Sequence, residues 1–506
     1  MLARIFSAST LGLEVAEIEV EVDVVERGFP SFKIVGLPDK AVEEARERIR
    51  SAIKNTGVDF PDHKVIINLA PADLPKTGPS FDLPMALGIL SASGQLSSNL
   101  KKTIFLGELS LDGSVRAVNG ILPMVMFARA QGFEEFFLPQ ENIKEVEIIK
   151  GIKIFPVKSL RQLLLHYNEV AKINPLKPIE FLKNTEEVDF EFDLSDIIGQ
   201  EHAKRGLVVA VAGGHNIYMK GPPGAGKTML ARTVPGIMPA MTEKETLEVS
   251  KIYSVSGKLG HFSLLRERPF CAPHHTISRI GLIGGGSYPM PGEISLAHRG
   301  VLFLDEFPEF PRHVIEALRQ PLEDGFITIS RVQASCRYPA KFILITASNP
   351  CPCGYLGDPK HQCTCSPGQL ARYCRQISGP IIDRIDLHIE VPAVAVNKLT
   401  SDNNKFHGKT SREIRRIIQA AREIQQKRFA EVSLSCNAEM GTKEVKKYCH
   451  LTLTAKKLLK EATENLAMSA RSFYRVIKVA RTIADLDEVE FIDSAQIKEA
   501  ICYRPK

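Results

Sequence analysis

The sequence predicts a multidomain α/β protein built around a nucleotide-binding core, and three observations carry that reading. The chain has 506 residues, more than one hydrophobic core serves, so roughly two to four domains follow. Gly221, Pro222, Pro223, Gly224, Ala225, Gly226, Lys227 and Thr228 match G-x-x-x-x-G-K-[ST] at every fixed position. From Asp196 to Pro392, apolar runs of strand length alternate with helical segments, the pattern of a parallel sheet.

The elements follow in chain order. Ser7–Ile34 alternates apolar and polar residues in strand fashion, with Val15, Ile18, Val20, Val22 and Val24 set among acids. Asp39–Asn55 is an amphipathic helix with Asp39 placed to cap it. Lys64–Asn68 reads as a strand and Phe81–Ala92 as a buried helix, while Asp112-Gly113 turns a hairpin between Thr103–Leu111 and Val115–Val118. Asn174–Asn184 carries prolines and little periodicity, a linker. The domains are therefore expected at 1–170, 196–395 and 396–506, joined by a linker over 171–195. Beyond a polar stretch at Asn397–Lys409 the chain reads as helical, with Arg412–Arg428, Ala455–Met468 and Phe473–Leu486 the clearest segments.

Composition excludes several classes. The chain is 44% hydrophobic and 25% charged, the balance of an ordinary globular protein. Its formal charge of +6 permits nucleic-acid binding without arguing for it. No apolar run is long enough to span a bilayer, and Met1–Ser7 lacks the apolar stretch of a signal peptide. A cytoplasmic protein with no membrane partner is expected, its ten cysteines being thiols or metal ligands rather than disulfides.

The chemistry starts at the phosphate loop. Glycines at 221, 224 and 226 let successive backbone N–H groups face a polyphosphate, Lys227 reaches the β- and γ-phosphates of ATP, and Thr228 holds Mg²⁺. A helix opening at Met229 adds its N-terminal dipole. Downstream, Val301–Leu304 is a core strand that delivers Asp305 to Mg²⁺ and Glu306 to the attacking water; alone, the pair reads as two solvated acids at a strand end, and it is the phosphate loop upstream that favours the hydrolytic reading. Phe342–Ala347 leads to Asn349, either a water-orienting amide or a turn residue before Pro350. Arg384 lies between Asp383 and Asp386 and acts as an arginine finger across a subunit interface or as a local ion pair. Arg471, Arg475 and Lys478 share one helix face; one arginine touches the γ-phosphate while the others form a solvated or nucleic-acid-facing stripe.

With these motifs in hand, the chain resembles the AAA+ ATPases of the magnesium-chelatase and replicative-helicase clade. The resemblance rests on Gly221–Thr228, on Ala297–Glu306, on Asp324–Arg331 and on Ser378–Arg384. Nearly the whole length is similar to the ComM/YifB competence-protein branch. The resemblance implies a homo-oligomeric ring, a hexamer, with ATP between subunits. Arg384 becomes the trans-acting finger, Arg471 the sensor-2 arginine of a helical lid, and Asp324–Arg331 a pore-facing hairpin. It also implies ATP-driven migration of branched DNA in natural transformation. A chelatase-type ATPase subunit is the alternative, set apart by the expectation that such subunits lack the N-terminal unit described next. A scaffold that binds ATP without turnover is opposed by the full set of hydrolytic residues.

Residues 1–170 resemble the Lon-protease-like, ribosomal S5 domain 2-like α+β fold, through Gly78-Pro79-Ser80 and Gly107–Val115. In active proteases of that fold a serine at the Ser80 position is the nucleophile and a later lysine its base. Here Leu122 stands at the lysine's place and Lys76 is not the family's base, so a non-proteolytic domain is expected and an ATP-dependent protease is disfavoured.

Two further features complete the reading. Cys351, Cys353, Cys363 and Cys365 form C-x-C-x₉-C-x-C, a closed Zn²⁺ site, with reduced thiols or a redox-labile pair as alternatives. Cys271, Cys336, Cys436, Cys449 and Cys502 read as buried thiols. His274-His275 lies in a Pro/Gly-rich segment, Arg268–Gly286, taken as a pore-facing loop rather than a metal site. Backbone-directed DNA binding is expected from Lys258, Arg266, Arg268, Arg279 and Arg331. The helix bearing Arg412, Arg415, Arg416, Arg422, Lys427 and Arg428 is either a DNA face or a solvated one.

Overall fold

The computed structural model describes residues 2–25, 29–76, 78–96, 100, 102–181, 190–259, 264–286, 288–330, 335–358, 361–393, 408–432 and 434–505. The N-terminal unit is a seven-stranded mixed sheet. Its order across the sheet is Ser31–Val35, Lys64–Ala70, Glu14–Val25, Leu2–Leu11, Thr103–Phe105, Glu135–Pro139 and Lys153–Val157. The alternation in Glu14–Val25 puts Ile18, Val20, Val22 and Val24 on the buried face. The helix Asp82–Ala92 is apolar from Leu83 to Leu90 and buried at every position but Ser91, with Asp82 paired to Arg48 at its start. It lies so close to the sheet that a Cβ on Gly88 would come within 2.4 Å of Val22. Asp39 caps the helix Lys40–Asn55 through a bond from the Val42 N–H, 2.9 Å. The turn at Asp112-Gly113, with Gly113 at φ +82°, joins only the short ladder Glu108–Leu109 and Val115–Arg116.

The central unit is a five-stranded parallel sheet. Its order is Phe270–Cys271, Val301–Leu304, Ile343–Ser348, Ile217–Lys220 and Leu387–Glu390. Strands buried on both faces need continuous apolar runs, and Val301–Leu304 and Ile343–Ser348 are buried throughout. Two antiparallel hairpins project from this unit: Gly284–Gly285 with Met290–Pro291, and Phe326–Ser330 with Ser335–Pro339. The segment read as a loop at Arg268–Gly286 is largely structured, with a strand at Phe270–Cys271 and a helix at Arg279–Ile283. Arg331 and most of the polar stretch Asn397–Lys409 lie outside the described residues.

The C-terminal unit is helical: Ser411–Arg428, Thr442–Tyr448, Leu453–Asn465, Ala470–Leu486 and Ser494–Cys502. The sequence shows three of these to within a few residues; Thr442–Tyr448 and Ser494–Cys502 span too few turns to register as periodic. Asp485 ties the bundle together, bonded to Arg428, Arg481 and Asn437.

The N-terminal and central units are in contact. Leu11 and Leu13, flanking a turn, pack against the central-unit core cluster to which Ile329, Cys336 and Tyr338 of the second hairpin belong. The buried Glu145 bonds Asn142 and accepts from Ser254 of the central unit, 2.8 Å. The Gly120 N–H donates to the Ser254 carbonyl, 3.0 Å. Residues 171–181 form no helix or strand but run along the N-terminal unit, the Leu176 and Ile179 N–H groups bonding Ile154 and Glu147 carbonyls.

Candidate ATPase site

Ligands of open parallel sheets bind beyond the strands' carboxyl ends, and the register shows which residues arrive there. Lys220 pairs with Ser348, and Leu304 with Thr346. The chain therefore leaves three neighbouring strands at Gly221, Asp305 and Asn349. The three loop glycines serve two purposes. A Cβ on Gly221 would lie 2.1 Å from the Val391 carbonyl, so this position must be bare to pack. Gly224 and Gly226 have φ of +74° and +84° with open space where a Cβ would go, the form of a loop whose N–H groups line an anion site.

Lys227 begins the following helix and is buried. Its ammonium donates to the Gly221 and Pro222 carbonyls at 2.8 and 2.9 Å and to Asn349 Oδ1 at 3.1 Å. Burial lowers its pKa, against the pull of Asp305 and Glu306. Thr228 donates to Asp305 Oδ2, 2.6 Å. A hydroxyl and a carboxylate oxygen thus sit side by side where Mg²⁺ takes oxygen ligands. Glu306 has left-handed backbone, φ +50°, and a half-exposed carboxylate. Its Oε2 lies 3.3 Å from His275 Nδ1, a neighbour the sequence reading did not assign. The signal was present in the register. Phe270 pairs with Val301 and Cys271 with Leu302, and the same offset carried forward sets His275 beside Glu306.

The four cysteines converge on the same region. Their Sγ atoms all lie within 4.8 Å of one another, with Cys351–Cys353 at 3.3 Å, Cys353–Cys363 at 3.5 Å and Cys351–Cys363 at 3.7 Å. A tetrahedral site with Zn–S of about 2.3 Å needs sulfurs ~3.8 Å apart, so the cluster can hold a metal. The Tyr355 and Thr364 N–H groups, donating to Cys353, push its thiol down to about 5. The knuckle leans on the phosphate loop: a Cβ on Gly354 would come within 2.5 Å of Pro223. Cys374, on the helix Pro367–Gln376, is outside the four.

Arg384 sits at the other end of the sheet. Its carbonyl accepts from Asn216, just before the phosphate-loop strand, 3.0 Å. Five residues of strand at about 3.3 Å each put Gly221 ~16 Å away. The guanidinium pairs with Glu323 and donates to the Pro380 carbonyl. Arg471 belongs to this end too: with Arg384 the first cause, both hold the Glu323 carboxyl low. Arg475 pairs with Asp386, 3.4 Å, and Lys478 donates to the Ala438 carbonyl. These two are structural rather than the stripe expected from the sequence.

Other basic residues also change role. Arg268 is largely buried against Glu245 and donates to the Pro239 and Arg299 carbonyls. Arg422 bonds the Ser435 and Val211 carbonyls, and Arg428 pairs with Asp485. Lys258 pairs with Glu293. Arg416 and Lys427 remain exposed, and Arg279 and Arg312 line an open cavity of about 620 Å³. In the N-terminal unit Leu122 is core, fully buried on the helix Ile121–Ala130. Lys76 is buried too, its ammonium bonded to the Pro71 carbonyl, and desolvation lowers its pKa. Cys502, expected to be buried, is exposed.

Three family models match: "Magnesium chelatase, subunit ChlI" over residues 193–399, "Subunit ChlI of Mg-chelatase" over 20–142 and "Magnesium chelatase, subunit ChlI C-terminal" over 408–504. The chain is 42% identical to competence protein ComM of Haemophilus influenzae, over 99% of this chain and 97% of that one. It is 40% identical to the uncharacterized protein YifB of Escherichia coli, with the same coverage. The chain belongs to the ComM/YifB family of magnesium-chelatase-like AAA+ ATPases. Lon protease 2 of Bacillus subtilis is 28% identical over 190 residues, 34% of this chain and 33% of that protein, which supports the Lon-like N-terminal unit. Family membership carries ATPase activity with ATP and Mg²⁺. One expectation is corrected. The match over 20–142 bears a chelatase-subunit description, so the N-terminal unit does not separate this chain from chelatase subunits. Among the described residues no helix is long and apolar enough to cross a membrane.

Proposed function

We propose that this family member is a cytoplasmic, hexameric ring motor that couples ATP hydrolysis to movement of branched or single-stranded DNA. Hydrolysis rests on Lys227, Thr228, Asp305, Glu306 and Asn349 meeting at the carboxyl ends of three neighbouring strands. A Mg²⁺ ion held by Thr228 and Asp305 would supply electrostatic stabilisation of the transferring group. Thr228 and Asp305 hold that ion, Lys227 leaves the loop carbonyls for the phosphates, and Asn349 and Glu306 orient and deprotonate water. The observation that carries the ring is the ~16 Å along the strand between the Arg384 backbone and its own phosphate loop, with the guanidinium paired to Glu323 and the Pro380 carbonyl instead of the loop. An arginine placed there completes the site of a neighbour, and Arg471 beside it goes the same way.

DNA as the polymer is favoured by the relative named a competence protein and by Arg279 and Arg312 around an open cavity. Arg337, stacked on Phe326 of the second hairpin, adds to them. The expected result is ATP turnover stimulated by Holliday-junction, forked or single-stranded DNA, with strand exchange on the junction. Turnover indifferent to every DNA tested favours the second reading, a chelatase-type ATPase that remodels a partner protein, which the three family matches support.

The cysteine knuckle we assign to structural Zn²⁺, four thiolates closing the shell with no open position. Freshly purified, reduced protein should contain one zinc per chain, and Cys353→Ser should lower that content together with the melting temperature. Metal-free protein of unchanged stability contradicts the assignment.

A further inference from the structure

The cysteine knuckle touches the nucleotide site at two points. The first lies between its first two ligands and the phosphate loop. Cys351 follows Asn349 by two residues, and Asn349 Oδ1 accepts from the Lys227 ammonium at 3.1 Å. The Leu356 N–H donates to Cys351 Sγ at 3.3 Å, so the chain bends sharply back after Cys353. Gly354 sits inside that bend, buried, at φ +86°. A Cβ there would come within 2.5 Å of Pro223 Cγ and 2.6 Å of its Cδ. No side chain fits, so the knuckle backbone lies directly against the second proline of the phosphate loop.

The last two ligands lead to the other point. The Cys353 N–H donates to Cys365 Sγ, 3.4 Å, closing the two halves of the knuckle on each other. Ser366, the next residue, caps the helix Pro367–Gln376, its Oγ accepting from the Gln369 N–H. About two turns along, the half-buried Tyr373 donates its hydroxyl to the Asn349 carbonyl at 3.3 Å. The helix starts where the fourth ligand ends and returns to a residue just ahead of the first. Hydrogen bonds to sulfur are weak, so four thiolates on one ion are what would make this circuit rigid.

We infer that Gly354 and Tyr373 are positioning residues, through which the metal-filled knuckle sets Pro223 and the Asn349 backbone, so that ATP affinity follows metal occupancy. The metal's part rests on the zinc assignment above; the two contacts do not. The test compares wild type, Gly354→Ala, Gly357→Ala and Tyr373→Phe as full chains in Mg²⁺. It reads zinc content, melting temperature, the Kd for the fluorescent analogue mant-ATP, and kcat. Gly357 is the control. It has φ +80° in the same knuckle, and among the described residues nothing lies within 4 Å of where its Cβ would go. Both glycine variants strain the backbone alike, but only Gly354→Ala presses on the phosphate loop. Gly354→Ala should raise the Kd about tenfold, in the range of an overpacked contact, and Gly357→Ala less than about twofold. Tyr373→Phe should keep the Kd and lower kcat about fivefold, the worth of one hydrogen bond. Stripping zinc with a chelator and restoring Mg²⁺ should raise the wild-type Kd as Gly354→Ala does, and added Zn²⁺ should bring it back.

Equal Kd values for the two glycine variants overturn the inference, as does an unchanged Kd in folded, zinc-stripped protein. A wild-type kcat in Tyr373→Phe overturns the role of Tyr373. A chain that carries no zinc sinks the metal assignment, while the glycine pair still decides the contact. Should Gly354→Ala not fold, Pro223→Ala removes the ring from the other side. Its Kd should then ignore zinc removal, and a response like that of the wild type contradicts the coupling.

Discussion

The N-terminal and central units each place a glycine-proline loop before a helix, yet the side chains brought to the two loops differ. Gly221–Thr228 opens onto Asp305 and Asn349, delivered by two neighbouring strands. Gly78-Pro79-Ser80 opens onto the Asp82–Ala92 helix, but Leu122, at the position of the missing base, is packed in a core. The backbone N–H of Leu122 bonds Glu145, whose carboxylate is already engaged by Asn142 and Ser254. The polar groups around that position therefore serve the join to the ATPase unit. A loop is a backbone device; reactivity needs a second and third element to bring partners to it.

That contrast can be broken at several points, and the expected effects fall in order. Glu306→Gln should abolish turnover while retaining nucleotide, a loss of about 10²–10⁴-fold for a general base; turnover within tenfold of wild type contradicts the assignment. Arg384→Ala should cost about 10³-fold, in the range of arginine fingers. Mixing it with Glu306→Gln subunits should restore part of the activity, because each supplies what the other lacks; no recovery at any ratio opposes a site shared between subunits. Glu145→Ala leaves Ser254 and Asn142 without their acceptor and should destabilise the join by about 1–3 kcal/mol, read as a lower melting temperature with little change in KM for ATP. Ser80→Ala should alter neither ATP turnover nor casein, which stays intact in both proteins. Ser80-dependent degradation would erase the distinction between the two units.

Legibility in the sequence followed the distance between cooperating residues. The phosphate loop is eight consecutive residues with a spacing rule, and Asp305-Glu306 closes an unmistakable core strand, so both were readable. The Asp39 cap and the long helices were readable because cap and period are local. The cysteine set was readable as a spacing, but its lean on Pro223 was not. His275 escaped because its partner lies on the next strand, and only the pairing of Phe270 with Val301 brings the two together. Arg268, Arg422, Arg475 and Lys478 were misread for a related reason. A basic residue in sequence carries a charge but does not reveal the buried carbonyls and carboxylates that consume it.

The proposed motor turns over ATP at Lys227, Asp305 and Glu306 to move DNA. It is tested most directly by strand exchange on a four-way junction, comparing wild type with Glu306→Gln at concentrations giving equal junction binding. The account predicts ATP-dependent exchange by the wild type and a bound, static junction with Glu306→Gln. Equal exchange by both proteins, or a wild type that hydrolyses ATP on the junction without moving it, would contradict it.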